Sequence, residues 1–149
     1  MILKGGITAA LTGFCDIPLG FALAAANDKY PEGAFTAKNQ TDAIRLLYGK
    51  ATEPSDKIKL DAPEIAENGA VVPISVGADL AEVTSIALLV SDNPNTLAAF
   101  YKIPAGTMPS VSNRLKMAKT STVTAIVEAG GKLFSATKEV KVTVGGCGG

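Results

Sequence analysis

Apolar and polar residues alternate in five runs along the part of the chain that follows residue 57. The apolar members of these runs are Val72, Ile74 and Val76; Ile86, Leu88 and Val90; Val111, Leu115 and Met117; Val123, Ala125 and Val127; and Val140, Val142 and Val144. Alternation puts every second side chain on one face of a strand, so each run predicts a strand with one buried face. The last of these strands is predicted to end at Val144.

Turn sequences separate the runs and complete the prediction of the fold. They read AENGA, SDNPN, IPAGTMP and EAGGK, each with the Gly, Pro or Asn residues that tight turns require. Six or seven short strands without helices between them are typical of two packed sheets rather than of a parallel sheet. The pattern therefore predicts an all-β fold, an immunoglobulin-like antiparallel β-sandwich.

One segment ahead of the strands has helical spacing instead. In TAKNQTDAIRLLYGKA the apolar positions are Ile44, Leu47 and Tyr48. Asn39 or Thr41 is suited to be the N-cap, and Gly49 is suited to end the helix. The sequence thus predicts one short amphipathic helix before the sandwich.

The first 26 residues have the pattern of an export signal. A single cation, Lys4, is followed by apolar stretches and by three alanines at positions 24–26, which satisfy the small-residue rule for cleavage before Asn27. A membrane anchor is disfavoured because Asp16 and Pro18 interrupt the apolar run, and lipidation of Cys15 is disfavoured by the bulky Phe14 before it. We therefore expect a signal peptide over residues 1–26, a sandwich domain over 27–144 and an arm over 145–149.

Composition excludes most kinds of chemistry. The 149 residues contain 14 Lys and Arg against 14 Asp and Glu, so a formal charge of zero gives no reason to expect nucleic acid or a membrane surface as a partner. Without histidine the chain cannot form a Ser-His-Asp or Cys-His unit, and its two cysteines and scattered carboxylates predict no metal site and no cofactor. The acidic residues Asp42, Glu53, Asp56, Asp61, Glu64 and Glu67 are expected on a solvated surface.

The sequence VTVGGCGG carries the one group with a distinctive chemical setting. Cys147 is flanked by Gly145, Gly146, Gly148 and Gly149 and lies three residues after Val144, so about 10 Å of extended chain separates it from the predicted domain. Glycines give such an arm conformational freedom and little bulk, which would let it enter a narrow cleft. A frayed terminus is the alternative interpretation. Because the arm has no cation or base of its own, the pattern favours a covalent carrier whose partners supply the chemistry.

Four segments resemble a known family. PEIAENGAVVPISV, VSDNPN, NRLKMAKTSTV and KEVKVTVGGCGG are similar to the SoxY family, the sulfur carriers of the periplasmic thiosulfate-oxidising Sox system. The resemblance covers essentially the whole chain after residue 26. It implies a sandwich domain without enzymatic activity that binds a SoxZ subunit and carries sulfur species on Cys147.

The resemblance also implies partners and a compartment. In the cycle of this family, the cytochrome SoxAX couples thiosulfate oxidatively to the cysteine, SoxB hydrolyses off sulfate, and a sulfane dehydrogenase, SoxCD, oxidises the remaining sulfur where it is present. Family members resemble twin-arginine export substrates that reach the periplasm. The segment LKGG at residues 3–6 is similar to the end of such a motif, but no arginine pair precedes it.

Two other functions and one partner surface follow from the residues. A ubiquitin-like carrier would use the carboxylate of Gly149 after Gly148, although an export signal argues against an ATP-dependent cytoplasmic route. A structural sandwich would instead lock a dimer through a disulfide at Cys147. The apolar side chains that fit no clear alternation are Val83, Leu97, Phe100 and Tyr101. Together with free strand edges they lead us to expect a heterodimer that forms through an apolar sheet surface.

Overall fold

The computed structural model describes residues 31–144. The predicted signal segment with Cys15 and the cleavage position at Asn27 lies outside these residues, and so does the predicted arm over 145–149. Within residues 31–144, no helix is long and apolar enough to cross a membrane.

The described chain forms two helices and nine strands arranged in two sheets. The helices are α1 (Glu32–Phe35) and α2 (Gln40–Leu47), and the strands are β1 (Thr52–Pro54), β2 (Ile58–Asp61), β3 (Ile65–Ala66), β4 (Val72–Ala78), β5 (Val83–Val90), β6 (Leu97–Lys102), β7 (Ser110–Leu115), β8 (Ser121–Ala129) and β9 (Lys132–Val142). One sheet has the order β1-β9-β8-β5-β6, with β3 also paired to β9, and the other has the order β2-β4-β7. The predicted β-sandwich is confirmed. Two short pairings, β1 with β9 and β3 with β9, are parallel, whereas the prediction was antiparallel throughout.

The apolar positions of the predicted alternation fill the space between the two sheets. Val72, Ile74, Val76, Ile86, Leu88, Val90, Leu115, Met117, Val123, Ala125, Val127 and Val140 are all buried in one cluster. The prediction for Val144 is wrong: β9 ends at Val142, and 64% of Val144 is exposed. The cause is that pairing with β8 ends at Val140, so that β9 continues past the end of its neighbour.

A helical layer covers the outer face of the larger sheet. The predicted helix is confirmed as α2: the Asn39 side chain accepts a hydrogen bond from the Asp42 N–H at 2.8 Å, and Gly49 follows the helix with a φ of 64°. A second buried cluster joins the helices to this sheet and includes Ala43, Ala87, Leu89, Ile126 and Leu133. Strands β5 and β8 are therefore buried on both faces, where alternation predicted one.

The side chains that fitted no alternation belong to these two clusters. Leu97 is buried against the helical layer and Phe100 is half-buried there, while Val83 and Tyr101 pack against the cluster between the sheets. They are thus used largely inside the domain.

One buried hydroxyl gives a test of how the core is packed. Thr96 is fully buried and its Oγ1 has no hydrogen-bond partner among the described residues, whereas the buried Oγ1 of Thr124 lies 3.1 Å from the Gln40 Nε2. Replacing Thr96 with Val keeps the shape and removes an unsatisfied polar group, so the free energy of unfolding should rise by about 1 kcal/mol.

The matched change Thr124→Val should lower the free energy of unfolding by about 1 kcal/mol, because it removes one of the two hydroxyl groups, those of Thr124 and Ser91, that accept hydrogen bonds from the Gln40 amide. Urea denaturation measures both. Equal changes for the two valines would contradict this account of the core.

Candidate functional site

The structure describes the point at which the predicted carrier arm leaves the domain, and not the arm itself. Cys147 and the flanking Gly145, Gly146, Gly148 and Gly149 lie outside the described residues. The last described residue, Val144, lies one residue before Gly145. The structure therefore describes the residues that lead to the predicted arm. The chemistry of the thiol stays a prediction.

The base of the arm is the end of β9, the longest strand of the sandwich. β9 is paired with β8 from Lys132 to Val140, and beyond that point β3 takes over, with Ile65 beside Lys141 and Ala66 beside Val142. Val140 is buried between the sheets, and Lys141 is exposed. The strand that leads to the arm is therefore fixed to the core up to its last residues.

Hydrogen bonds from both sides hold residues 142–144. The Val142 N–H donates to the Thr120 Oγ1 at 2.9 Å. On the other side, the Thr143 N–H donates to the Ala66 carbonyl at 3.1 Å and the Gly69 N–H donates to the Val144 carbonyl at 2.8 Å. The Thr143 hydroxyl also donates to the Glu67 carbonyl at 3.2 Å. We call residues 66–69, Thr120 and residues 142–144 the collar.

The loop that forms one side of the collar is itself tied to the core. The Asn68 side chain accepts a hydrogen bond from the Ala70 N–H at 2.9 Å, which closes a tight turn. The Gly69 carbonyl accepts from the Met117 N–H at 2.7 Å, and the Met117 side chain is fully buried. The position of the collar is thus set by the packing of the sandwich.

Exposed apolar side chains are concentrated in the segments around the collar. Among the described residues, the large apolar side chains that stay exposed are Leu46, Ile65, Val71, Met108 and Val144. Of these, Val144 belongs to the collar, and Ile65 and Val71 lie within two residues of its 66–69 segment in the chain. Exposed apolar groups of this kind mark contact surfaces when they occur together in one region.

The described residues include two titratable side chains whose pKa is shifted. They contain no group of three or more His, Cys, Asp or Glu side chains that could hold a metal ion together. A hydrogen bond from Asn39 and then one from Arg45 lower the pKa of the exposed Asp42 carboxyl, and burial raises the pKa of Tyr48 to about 12. Both groups belong to the α2 segment. The Tyr48 hydroxyl is paired with the Ser85 hydroxyl at 2.8 Å, which suits a structural role.

Sequence reasoning missed the collar. The two residues of β3 are too few to show an alternation, and Gly69 stands in AENGA, which predicted only a turn. Thr120 and Thr143 look like ordinary strand threonines. The cue in the sequence is that the last apolar alternation continues as far as Val144. A strand of this length extends past the end of the predicted strand beside it.

A family model and solved structures show which known proteins this chain resembles. A family model described as sulfur oxidation protein SoxY matches residues 44–147, from within α2 to Cys147. Comparison with curated protein sequences gives no significant match.

The domain also resembles a number of solved structures. The sulfur carrier protein SoxY from Chlorobium limicola f thiosulfatophilum is 40% identical with a TM-score of 0.64, and the match covers 70% of this chain and 96% of that chain. Superoxide reductase (neelaredoxin) from Ignicoccus hospitalis is similar in fold alone, at 22% identity and a TM-score of 0.52, covering 58% of this chain and 80% of that one. From the family match and the first of these structures, we conclude that the chain belongs to the SoxY family of sulfur oxidation proteins.

Proposed function

We propose that this chain is a carrier for sulfur compounds, which holds thiosulfate-derived intermediates covalently on Cys147 and presents them to the enzymes of a thiosulfate oxidation cycle. The observation that carries the proposal is the family match, which runs to Cys147 itself. The match with a structure of a sulfur carrier protein over nearly its full length supports it. In this role the chain is a substrate of its partners and turns nothing over.

The chemistry at Cys147 is an oxidative coupling followed by a hydrolysis. In the coupling, the thiol loses its proton, an S–S bond forms to the outer sulfur of thiosulfate, and two electrons pass to a cytochrome partner. Hydrolysis of the product adds water, breaks the bond between the two sulfurs of the former thiosulfate, releases sulfate and protons, and leaves a persulfide on Cys147. The arm sequence contains no base and no oxidant for either step, so both steps depend on partner enzymes.

The proposed partners follow from membership of the family. We propose a heterodimer with a SoxZ-like subunit, coupling by a SoxAX-type cytochrome, hydrolysis by a SoxB-type enzyme and, where it exists, oxidation by a SoxCD-type dehydrogenase. The predicted signal over residues 1–26 supports a periplasmic location for this cycle. Among the described strands, β1, β2, β3, β6 and β7 each pair with one strand only, which leaves sheet edges available to a partner.

The partner enzymes must approach the collar. Cys147 lies three residues beyond Val144, a reach of about 10 Å, so an enzyme that receives the thiol in its active site contacts the domain near the arm base. The exposed Ile65 and Val71 flank the 66–69 segment of the collar in the chain and offer apolar area for that contact. We therefore assign these two side chains to the surface that the enzymes recognise.

Replacing Cys147 with Ser should abolish thiosulfate-dependent electron transfer in a system reconstituted with the partner enzymes. The alcohol has nearly the same size, but it is a far weaker nucleophile and forms no stable bond to sulfur. Circular dichroism should show an unchanged fold, because the residue lies beyond the last described strand. Normal turnover by the Cys147→Ser protein would contradict the carrier function.

Replacing Gly146 with Trp should lower kcat/KM for the carrier by about a hundredfold, because the bulk displaces the thiol inside a narrow cleft. The rate at which a small reagent alkylates Cys147 should be unchanged, because the reagent reaches the thiol without the arm having to enter a cleft. Gly146→Ala is the matched control and should retain most of the activity. Equal activity of Trp and Ala variants would contradict the threading of the arm.

Replacing both Ile65 and Val71 with Ser should raise the KM for the carrier about tenfold and leave kcat unchanged, because apolar area is lost from the contact surface. Met108→Ser is the matched control. Met108 is also exposed, but it lies near the other end of the pair formed by β4 and β7. It comes just before Ser110, which pairs with Gly77, whereas Val71 comes just before Val72 at the start of β4. A similar KM change for both proteins would contradict the assignment of the surface.

A further inference from the structure

The collar holds residues 142–144, of which only Val142 packs against the cluster between the sheets. The side chains of Thr143 and Val144 are exposed, and pairing of β9 with β8 has already ended at Val140. The ends of exposed strands normally fray, because few buried contacts oppose local opening. Hydrogen bonds from two separate segments nevertheless converge on residues 142–144.

Thr120 acts as a substitute for a missing strand. It lies immediately before β8, whose first residue, Ser121, pairs with Val140. The Val142 N–H is therefore beyond the end of the ladder, and the Thr120 hydroxyl accepts its hydrogen bond instead. A side-chain acceptor at this position extends the hold on β9 by two residues.

Thr143 makes the corresponding contact on the other side. Its N–H and its hydroxyl both donate to carbonyls of the loop, those of Ala66 and Glu67. The same loop donates from the Gly69 N–H to the Val144 carbonyl and is joined to the buried Met117 through the Gly69 carbonyl. The two threonines thus connect the end of β9 to the core from opposite edges.

We propose that Thr120 and Thr143 are positioning residues that set the point at which the carrier arm becomes free. The inference builds on the proposed carrier function and adds a length to it: the reach of Cys147 is counted from Gly145. The segment from the anchored Val144 to the thiol is then three residues long, counting Cys147 itself. If residues 142–144 were released as well, the segment would be six residues long, and the effective concentration of the thiol in a docked active site would fall by about threefold.

The direct test is the order parameter of each backbone N–H in the full chain, measured by ¹⁵N relaxation. In the natural sequence it should stay near ~0.85 through Val144 and fall below about 0.6 from Gly146 onward. In the double variant Thr120→Val/Thr143→Val, which keeps both side-chain shapes, the fall should begin at Val142. An unchanged profile would overturn the proposal, and so would an early fall in the natural sequence.

Two further variants separate the collar from general stability. Thr143→Ser keeps the hydroxyl, so with Thr120 intact this variant should show the same order-parameter profile as the natural sequence. Thr84→Val removes a comparable exposed threonine hydroxyl, bonded to the Glu128 Oε1 at 2.8 Å, at the opposite end of β8. It should leave the profile of residues 142–144 unchanged. If Thr84→Val frees these residues as much as the double variant does, the collar has no special role. Should the double variant lose its fold in circular dichroism, the two single valine variants decide the question.

A kinetic measurement tests whether the anchoring matters for delivery. With partner enzymes, the double variant should show a KM for the carrier raised by about threefold, an unchanged kcat and an unchanged alkylation rate of Cys147. Freed residues with an unchanged KM would overturn the positioning role. The relaxation profile is measured without any partner. It therefore tests the anchoring of residues 142–144 even if the Cys147→Ser protein proved fully active and the carrier function failed.

Discussion

Strand β8 is the element on which the other parts of the domain depend, because it is enclosed on all sides. Its two edges are paired with β5 and β9, one face packs between the sheets, and the other packs under the helical layer. A strand buried in this way cannot shift by one residue without moving its side chains to the wrong faces. The register of β9, and with it the place where the arm begins, is therefore fixed.

The difference in length between β8 and β9 creates the end of the domain from which the proposed arm continues. β9 runs beyond its neighbour, and its end would be a loose strand if the collar were absent. The short β3 and the Asn68 turn, together with two threonine hydroxyls, hold residues 142–144. A rigid domain and a proposed free arm thus meet at a defined residue, which is the arrangement that a carrier for several enzymes requires.

The sequence predicted the parts of this structure that follow from local periodicity. The alternation of Val72, Ile74 and Val76 located β4, and the Asn39 cap located the start of α2. It could not show that β5 and β8 are buried on both faces, because Ala87, Leu89 and Ile126 only become core residues once a helix lies over them. It also overestimated the extent of β9 as a packed strand at Val144, because the point at which pairing with the neighbouring β8 ends is a tertiary property.

The candidate site divides in the same way. The chemical group, Cys147 among four glycines, was evident from composition and spacing, since no other cysteine follows the predicted signal segment. The collar was not evident, because it joins residues 66–69, Thr120 and residues 142–144, which are far apart in the chain. Contacts of this kind arise from the topology of the sheets and leave no periodic pattern.

The central claim is that Cys147 is the residue that carries sulfur. Peptide mass spectrometry of the protein, isolated without reductant from its host during growth on thiosulfate, tests this most directly. We predict a thiosulfonate or persulfide adduct on the peptide that contains Cys147, removed by a thiol reductant. Sulfur in place of oxygen at the carboxylate of Gly149, or a Cys147 found only as a disulfide between two copies of this chain, would contradict the account.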